Sequence, residues 1–121
     1  MNTKLNEKIG SVEHDGLIYG AWHTDVVTVT LTANIGIVKR GTLVNGTLGS
    51  PLSPIKSALS VSMDKYIIAE DVDTSVTTKV SAYRTGHFAR NKIITDNYTL
   101  VPLDEELLRN CGILLSDAIE A

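Results

Sequence analysis

The stretch YIIAEDVDTS, residues 66–75, holds the side chains whose types and spacing could most readily do chemistry. A short apolar run there meets three carboxylates, Glu70, Asp71 and Asp73. Clustered carboxylates can bind a divalent cation or act as general acid and base, but the central glycine and distal glutamate of a calcium loop are absent. Asp side chains also accept hydrogen bonds from nearby backbone N–H groups. We therefore predict that Asp71 and Asp73 shape the connection that leaves a strand, and that no metal binds.

A second pattern, Ser53 followed by Lys56, has the S-x-x-K spacing that places a lysine one helical turn from a nucleophilic serine in some acyl-transfer enzymes. Pro54 and the serine-rich surroundings argue against that context, and the companion motifs are missing. We interpret Cys111 as a small core residue of a helix. Three histidines are scattered without zinc-ligand spacing: His14, His23 and His87. The sequence therefore predicts no catalytic residue, no cofactor and no enzymatic activity.

Length and composition limit the class of protein. A chain of 121 residues fits one ordinary domain. Its net charge of −3 lacks the basic footprint of a nucleic-acid binder, and no apolar run approaches the roughly 20 residues that span a bilayer. The single cysteine cannot form an internal disulfide, and no secretory pattern opens the chain. We expect synthesis in a reducing cytoplasm and neither nucleic acid nor membrane as a partner.

Strand patterns dominate the chain after its first 24 residues. Val27, Val29 and Leu31 alternate with threonines, as in a strand with one wet face. Further strands are predicted at 35–38, 43–44, 66–69 and 79–88, and residues 113–115 are predicted to form a last short strand or an extended segment against the core. We expect neighbouring strands to pair. Residues 45–64, with two prolines and five serines, are predicted to form a long surface loop.

One helix is predicted in PLDEELLRNCG, residues 102–112. Leu103, Leu107 and Cys111 recur at four-residue spacing with Leu108 beside them, which predicts that this stripe faces the core. Acidic residues follow Pro102 at the helix start, and Gly112 suits the residue that ends it.

Residues 1–24 show no sustained periodicity, yet they carry large apolar side chains. Four are candidate anchors: Leu17, Ile18, Tyr19 and Trp22. One interpretation is that Trp22 closes the end of the core. The other is an arm, residues 1–24, that orders on a partner and precedes a β-rich domain of residues 25–121.

Three stretches together resemble the bacteriophage head decoration proteins of the lambda type. They are VKRGTLV at 38–44, YIIAEDVDTS running into VSAYRTGHFARNKI up to residue 94, and ELLRNCGILLSDAI at 106–119. Their order and spacing carry the resemblance, which covers roughly residues 25–119.

The resemblance implies a mainly β fold, a small barrel or tulip-like domain with one short helix near its C-terminus and an extended N-terminal arm. It implies a homotrimer that binds the major capsid protein at the three-fold positions of the expanded head. The protein would then be made in the host bacterial cytoplasm and would lie on the outer surface of the virion, stabilising the head against packaged DNA.

Two other functions stay open from the residues alone. A small β-barrel module that binds a sugar or a peptide would need Tyr66, Tyr83 and Tyr98 to line one groove. A small hydrolase would use Ser53 and Lys56, or the acidic stretch.

Overall fold

The computed structural model describes residues 17–18, 24–47, 49–60 and 63–117. Within these ranges the chain forms eight strands, a 3-10 turn at Arg90–Lys92 and one α-helix. The strands are β1 Asp25–Thr30, β2 Ile37–Val38, β3 Leu43–Gly46, β4 Ser53–Pro54, β5 Asp64–Ile68, β6 Val72–Asp73, β7 Lys79–Ala89 and β8 Ile113–Ser116. The helix, α1, is Pro102–Asn110. The predicted mainly β class with one helix near the C-terminus is confirmed.

Six strands form one sheet in the order β1, β7, β5, β3, β4, with β8 also paired to β7. Strands β2 and β6 form a separate antiparallel pair. Among the strands of the described ranges, only β8 runs parallel to its neighbour. The sheet is not closed into a barrel: in the described part of the chain its end strands approach through a single bridge, Leu31 to Leu52.

Strand β7 is the centre of the sheet because both of its edges are used along its 11 residues. Its first half pairs with β1 and β5, and its second half pairs with β8 and with Ile18. At Gly86 an added Cβ would lie 2.7 Å from the ring of Phe88, which is fully buried. Glycine therefore lets the second half of the strand pack closely over that ring.

The sheet buries both of its faces. Successive residues of a strand point to opposite faces, and the adjacent pairs Leu43 and Val44, Ile67 and Ile68, and Ala82 and Tyr83 each divide between two core clusters. This explains why several strands read as continuous apolar runs and not as alternations.

The region 45–64, predicted to be a long surface loop, is in part core, so that prediction was wrong. Leu52, Ile55 and Leu59 are buried, and Ser53–Pro54 pairs with β3. The prolines and serines indicated a loop, but the apolar residues between them pack into the core. Proline is tolerated in β4 because that strand lies at the end of the sheet.

The predicted core stripe of the helix is confirmed only in part, because Leu108 is buried and Leu107 packs against the core. Leu103 is 68% exposed and Cys111 is exposed, so the prediction was wrong for these two residues. Asp104 is buried beside Leu108 in their place. A carboxylate occupies this position because hydrogen bonds satisfy that group inside the body.

Neighbouring strands pair less often than expected. Strand β2 spans only Ile37–Val38, because positive φ angles at Asn34 and Gly36 turn the chain just before it. It pairs with β6, and β1 pairs with β7. The last predicted strand is confirmed as β8.

Candidate functional site

The acidic residues of the 66–75 stretch have a structural role. Asp73 accepts hydrogen bonds from the hydroxyl and the backbone N–H of Ser75, which hold the pKa of Asp73 below its usual value. Asp71 accepts from the backbone N–H of Arg40 at 2.7 Å, across 31 residues of sequence. Asp73 thus shapes a local turn as predicted, whereas Asp71 binds a distant loop. The residues between them form β6 and not a plain connection.

The other candidate chemical groups lie apart. Ser53 is in strand β4, 2.8 Å from the hydroxyl of Thr32, so Lys56 does not follow it by one helical turn. His87 Nε2 lies 2.6 Å from Ser116 Oγ. Across the described ranges, no three His, Cys, Asp or Glu side chains are grouped so that they could hold a metal ion. In those ranges no helix has the length and hydrophobicity to cross a bilayer.

The three tyrosines that a sugar or peptide module would need do not share a groove. Tyr83 is buried beneath Arg40, whose guanidinium carbon lies 5.5 Å from the ring centre. Tyr66 lines an open groove beside β1, and Tyr98 lines another beside Arg90.

Two of the four predicted arm anchors belong to the body. Leu17 is 1% exposed, and its carbonyl accepts a 2.8 Å hydrogen bond from the N–H of Ala89. Ile18 pairs with Phe88 and packs against the same core. Tyr19 and Trp22 lie outside the described residues, and their role as anchors stays a prediction. In this conformation Leu17 is not accessible to a partner.

One groove of about 340 Å³ exposes three isoleucines, Ile35, Ile37 and Ile94. Lys39 and Asp96 lie among its lining residues, so it carries one charge of each sign. We call these five residues the isoleucine groove. Exposed apolar residues that cluster in a concave surface mark an interaction site more often than single ones do.

A second apolar surface lies where helix α1 begins. Val101 and Leu103 are 45% and 68% exposed. One turn further along the helix, Glu106 and Arg109 form a surface ion pair with atoms 2.5 Å apart. We call these four residues the helix-start patch. Neither surface was predicted from the sequence, because the first joins residues 59 positions apart and Leu103 of the second was assigned to the core.

Asp104 holds the helix start in place. Its carboxylate is buried and accepts hydrogen bonds from the hydroxyl of Tyr98 at 2.5 Å and from the N–H groups of Leu59 and Val101 at 3.0 Å each. Burial acts to raise the pKa of Asp104, but these three donors outweigh it and hold the pKa below its ordinary value. The same contact raises the pKa of Tyr98.

Arg90 connects helix α1 to the residue that follows β8. Its guanidinium donates to both carboxylate oxygens of Glu105, at 2.7 and 2.9 Å, and to Asp117 at 2.5 Å. These contacts, with Glu105 foremost, raise the pKa of Arg90. The two-pronged geometry ties α1 to the start of the 3-10 turn and to the end of β8. The helix-start patch is therefore presented on a rigid support.

No protein-family model and no curated protein sequence matches this chain. The resemblance to phage head decoration proteins stays a prediction that the three sequence stretches carry.

Proposed function

We propose that this protein is a capsid decoration protein: a homotrimer that binds the expanded head of a phage at three-fold positions and stabilises it against packaged DNA. Its partners are the major capsid protein and two further copies of itself. It works by binding and not by catalysis.

The observation that carries the proposal is where the three resembling stretches lie in the fold. Residues 38–44 enter β3, residues 66–94 contain most of β5 and all of β7, and residues 106–119 contain β8. These four strands are neighbours in one sheet. Stretches that are separate in sequence thus build one contiguous unit, as expected if the resemblance extends to the fold.

The burial of Leu17 supports a shorter arm than residues 1–24. Because Leu17 and Ile18 pack on β7, we propose that the arm comprises residues 1–16. In the sequence, Tyr19 and Trp22 belong to the segment between Ile18, which bridges Phe88, and Asp25, which pairs with Thr85. We place candidate capsid contacts in both segments.

Binding energetics explain why such a protein would act as a trimer. Ordering each arm residue costs about 1–2 kcal/mol, and each new hydrogen bond returns a net of about 0.5–1.5 kcal/mol. One arm therefore binds weakly without apolar anchors. Three arms on one body multiply avidity by about 10² to 10⁴ where the geometry matches. A trimer that binds only the assembled lattice stabilises it by linkage.

Two truncations test the arm. Deleting residues 1–16 removes the arm but keeps Leu17, so we expect a folded protein whose apparent affinity for undecorated expanded heads falls by about 10² to 10⁴. Deleting residues 1–24 also removes a core side chain, so we expect a loss of stability. Thermal unfolding measures stability, light scattering measures the oligomer mass, and co-sedimentation with heads measures affinity.

The matched control replaces residues 2–15 by a scrambled sequence of the same composition. It should fold like the wild type and bind heads as weakly as the shorter truncation. Undiminished head binding by the 1–16 deletion would reject the arm.

A further inference from the structure

We propose that the free edge of strand β1 and the groove beside it bind an extended segment of another polypeptide. The segment adds to the sheet as a further strand and places a basic side chain near Asp64. This inference goes beyond the proposed function and does not depend on it.

Strand β1 ends the sheet with one edge unused, since in the described ranges it pairs with β7 alone. Ser81 of β7 directs its carbonyl to the β5 side, where it accepts a hydrogen bond from the N–H of Ala69. Because Thr28 is the antiparallel partner of Ser81, the N–H and C=O of Thr28 point away from β7. Thr30, two residues further on, agrees with this direction, because its carbonyl accepts from the N–H of Leu52 on the far side.

The free edge presents main-chain donors and acceptors that are not used. By the same alternation, Val26 also directs its N–H and C=O away from β7. Within the ranges that the structure describes, these groups of Val26 and Thr28 have no hydrogen-bond partner. Alternating donors and acceptors along an open edge are what the main chain of an extended peptide pairs with.

Strand β1 lacks the features that usually protect a sheet edge, which are short length, proline and charged side chains. Strand β4, at the opposite end of the sheet, has two residues and contains Pro54. Strand β1 has six residues, and its sequence VVTVT at 26–30 contains neither proline nor a charge. Its β-branched residues also favour strand pairing. Of the two ends of the sheet, β1 is therefore the one open to an added strand.

A groove of about 360 Å³ lies between these two ends of the sheet. It is lined by Thr28 and Thr30 of β1 and by residues 49–52, which precede β4. The two ends meet at the bridge between Leu31 and Leu52, beside the groove. The volume falls in the range of about 300–1,000 Å³ that ligand sites in proteins occupy. Side chains of a strand added along β1 therefore have a groove to enter.

Asp64 sets the charge of the groove, because it is the only charged residue among those that line it. Its side chain makes no hydrogen bond or ion pair within the described part of the chain. The neighbouring Lys65 does not neutralise it, since Lys65 Nζ donates to the carbonyl of Met63. Tyr66 also lines the groove and offers an aromatic surface to the stem of a long basic side chain. A lysine or an arginine on the added strand thus complements the groove.

Binding of a synthetic peptide to the full-length protein tests the proposal. The probe is a blocked, fluorescent peptide of about nine residues, in which Thr and Val alternate around a central Lys. The control peptide has the same side chains but N-methyl groups on its backbone nitrogens, so it cannot donate to the edge. We expect saturable binding of the probe by fluorescence anisotropy, and a dissociation constant at least about tenfold higher for the methylated peptide. Equal binding of the two peptides would overturn strand addition.

Amide hydrogen exchange locates the bound peptide. The outward N–H of Thr28 should exchange rapidly in the free protein and at least about tenfold more slowly with saturating peptide. The N–H of Val27, which faces β7, is the internal control and should be protected in both states. Unchanged exchange at Thr28 on binding would overturn the site. Protection of Thr28 in the free protein would show that this chain or a second copy already covers the edge, which would also overturn the proposal.

Two pairs of variants separate the main-chain contact from the charge. Thr28→Pro removes the outward N–H but no bond to β7, whereas Thr28→Ala removes the same side chain and keeps that N–H. Thr28→Pro should bind the probe at least about tenfold more weakly than Thr28→Ala, and equal affinities would contradict the edge contact. Asp64→Asn should weaken the Lys peptide about threefold and leave a peptide with Thr in place of Lys unchanged. An unchanged affinity for the Lys peptide would overturn the role of Asp64.

Thermal unfolding verifies the fold of each variant. Should Thr28→Pro fail to fold, the methylated peptide makes the same test from the side of the partner. None of these measurements uses phage heads. Failure of peptide binding therefore overturns this inference alone, and failure of head binding overturns the proposed function alone.

Discussion

Asp104 shows how one buried carboxylate can organise three segments. Its donors come from the helix start, from the residues before the helix and from the region 45–64. Removing the charge leaves two backbone N–H groups without a strong acceptor, which costs roughly 1–3 kcal/mol for each buried group. A residue that reads as a helix-start acid in the sequence is thus a central polar contact of the body.

We predict that Asp104→Asn lowers the free energy of unfolding at pH 7 by about 2–4 kcal/mol. Because the folded-state pKa is depressed, the stabilisation by Asp104 is present above the unfolded pKa near 3.8 and is lost as pH falls through the folded value. The variant should therefore lose less stability than the wild type below about pH 4. Urea unfolding between pH 2 and 7 measures this difference, and parallel curves would contradict it.

Tyr98→Phe removes the shortest hydrogen bond to the same carboxylate. We expect a loss of about 1–2 kcal/mol at pH 7 and a higher pKa of Asp104, so acid unfolding should begin at higher pH. The loss should be much smaller when Asp104 is already Asn, because the two residues share one interaction. Additive losses in this double-mutant cycle would show that the contact contributes little.

Leu17 is a buried residue next to the proposed arm, so its substitution tests where the core begins. We predict that Leu17→Ala lowers the free energy of unfolding by about 2–5 kcal/mol, because it empties a fully buried site.

Trp22→Ala should weaken head binding and leave the melting temperature of the free protein nearly unchanged. A large loss of stability in the Trp22 variant would instead support the interpretation in which Trp22 closes the core.

At the scale of elements, helix α1 shows what periodicity can and cannot predict. The sequence located the helix and its ends, because Pro102, the first-turn acids and Gly112 act locally. It placed Leu107 and Leu108 correctly but misassigned Leu103 and Cys111, and it missed Asp104, since counting apolar residues excludes a buried aspartate. Which face is buried depends on Tyr98 and Leu59, whose donors reach the helix only in the folded chain.

We predict that Leu108→Ala destabilises the protein by about 2–5 kcal/mol, whereas Leu103→Ala changes stability by less than about 0.5 kcal/mol. The first side chain is fully buried and the second is mostly exposed. Thermal or urea unfolding of the two variants at a concentration that keeps the chains separate compares them directly. Equal losses of stability would indicate that Leu103 is packed in the core, as the sequence predicted.

Strand existence was predicted better than strand pairing. Strands β1, β5, β7 and β8 follow from β-branched and apolar patterns, which act over a few residues. The pairing of β1 with β7 joins positions about 55 residues apart and depends on closing the whole core. The loop prediction for residues 45–64 failed for the same reason, because buried Ile55 and Leu59 pack against residues that are distant in sequence.

At the scale of the whole molecule, the proposed function combines a well-packed β body with weak arm contacts that are repeated three times. The body is held by a sheet buried on both faces and by the Asp104 and Arg90 networks. The proposed function depends on three arms acting together, because one arm alone is expected to bind weakly. Under this proposal a variant that breaks the trimer should also lose head binding.

The most direct test is the mass of the purified protein, alone and on undecorated expanded heads. We expect a mass of three chains in solution and retention on heads in multiples of three chains per three-fold position. A single-chain mass at all concentrations, with no retention on the heads of any phage of its host, would contradict it.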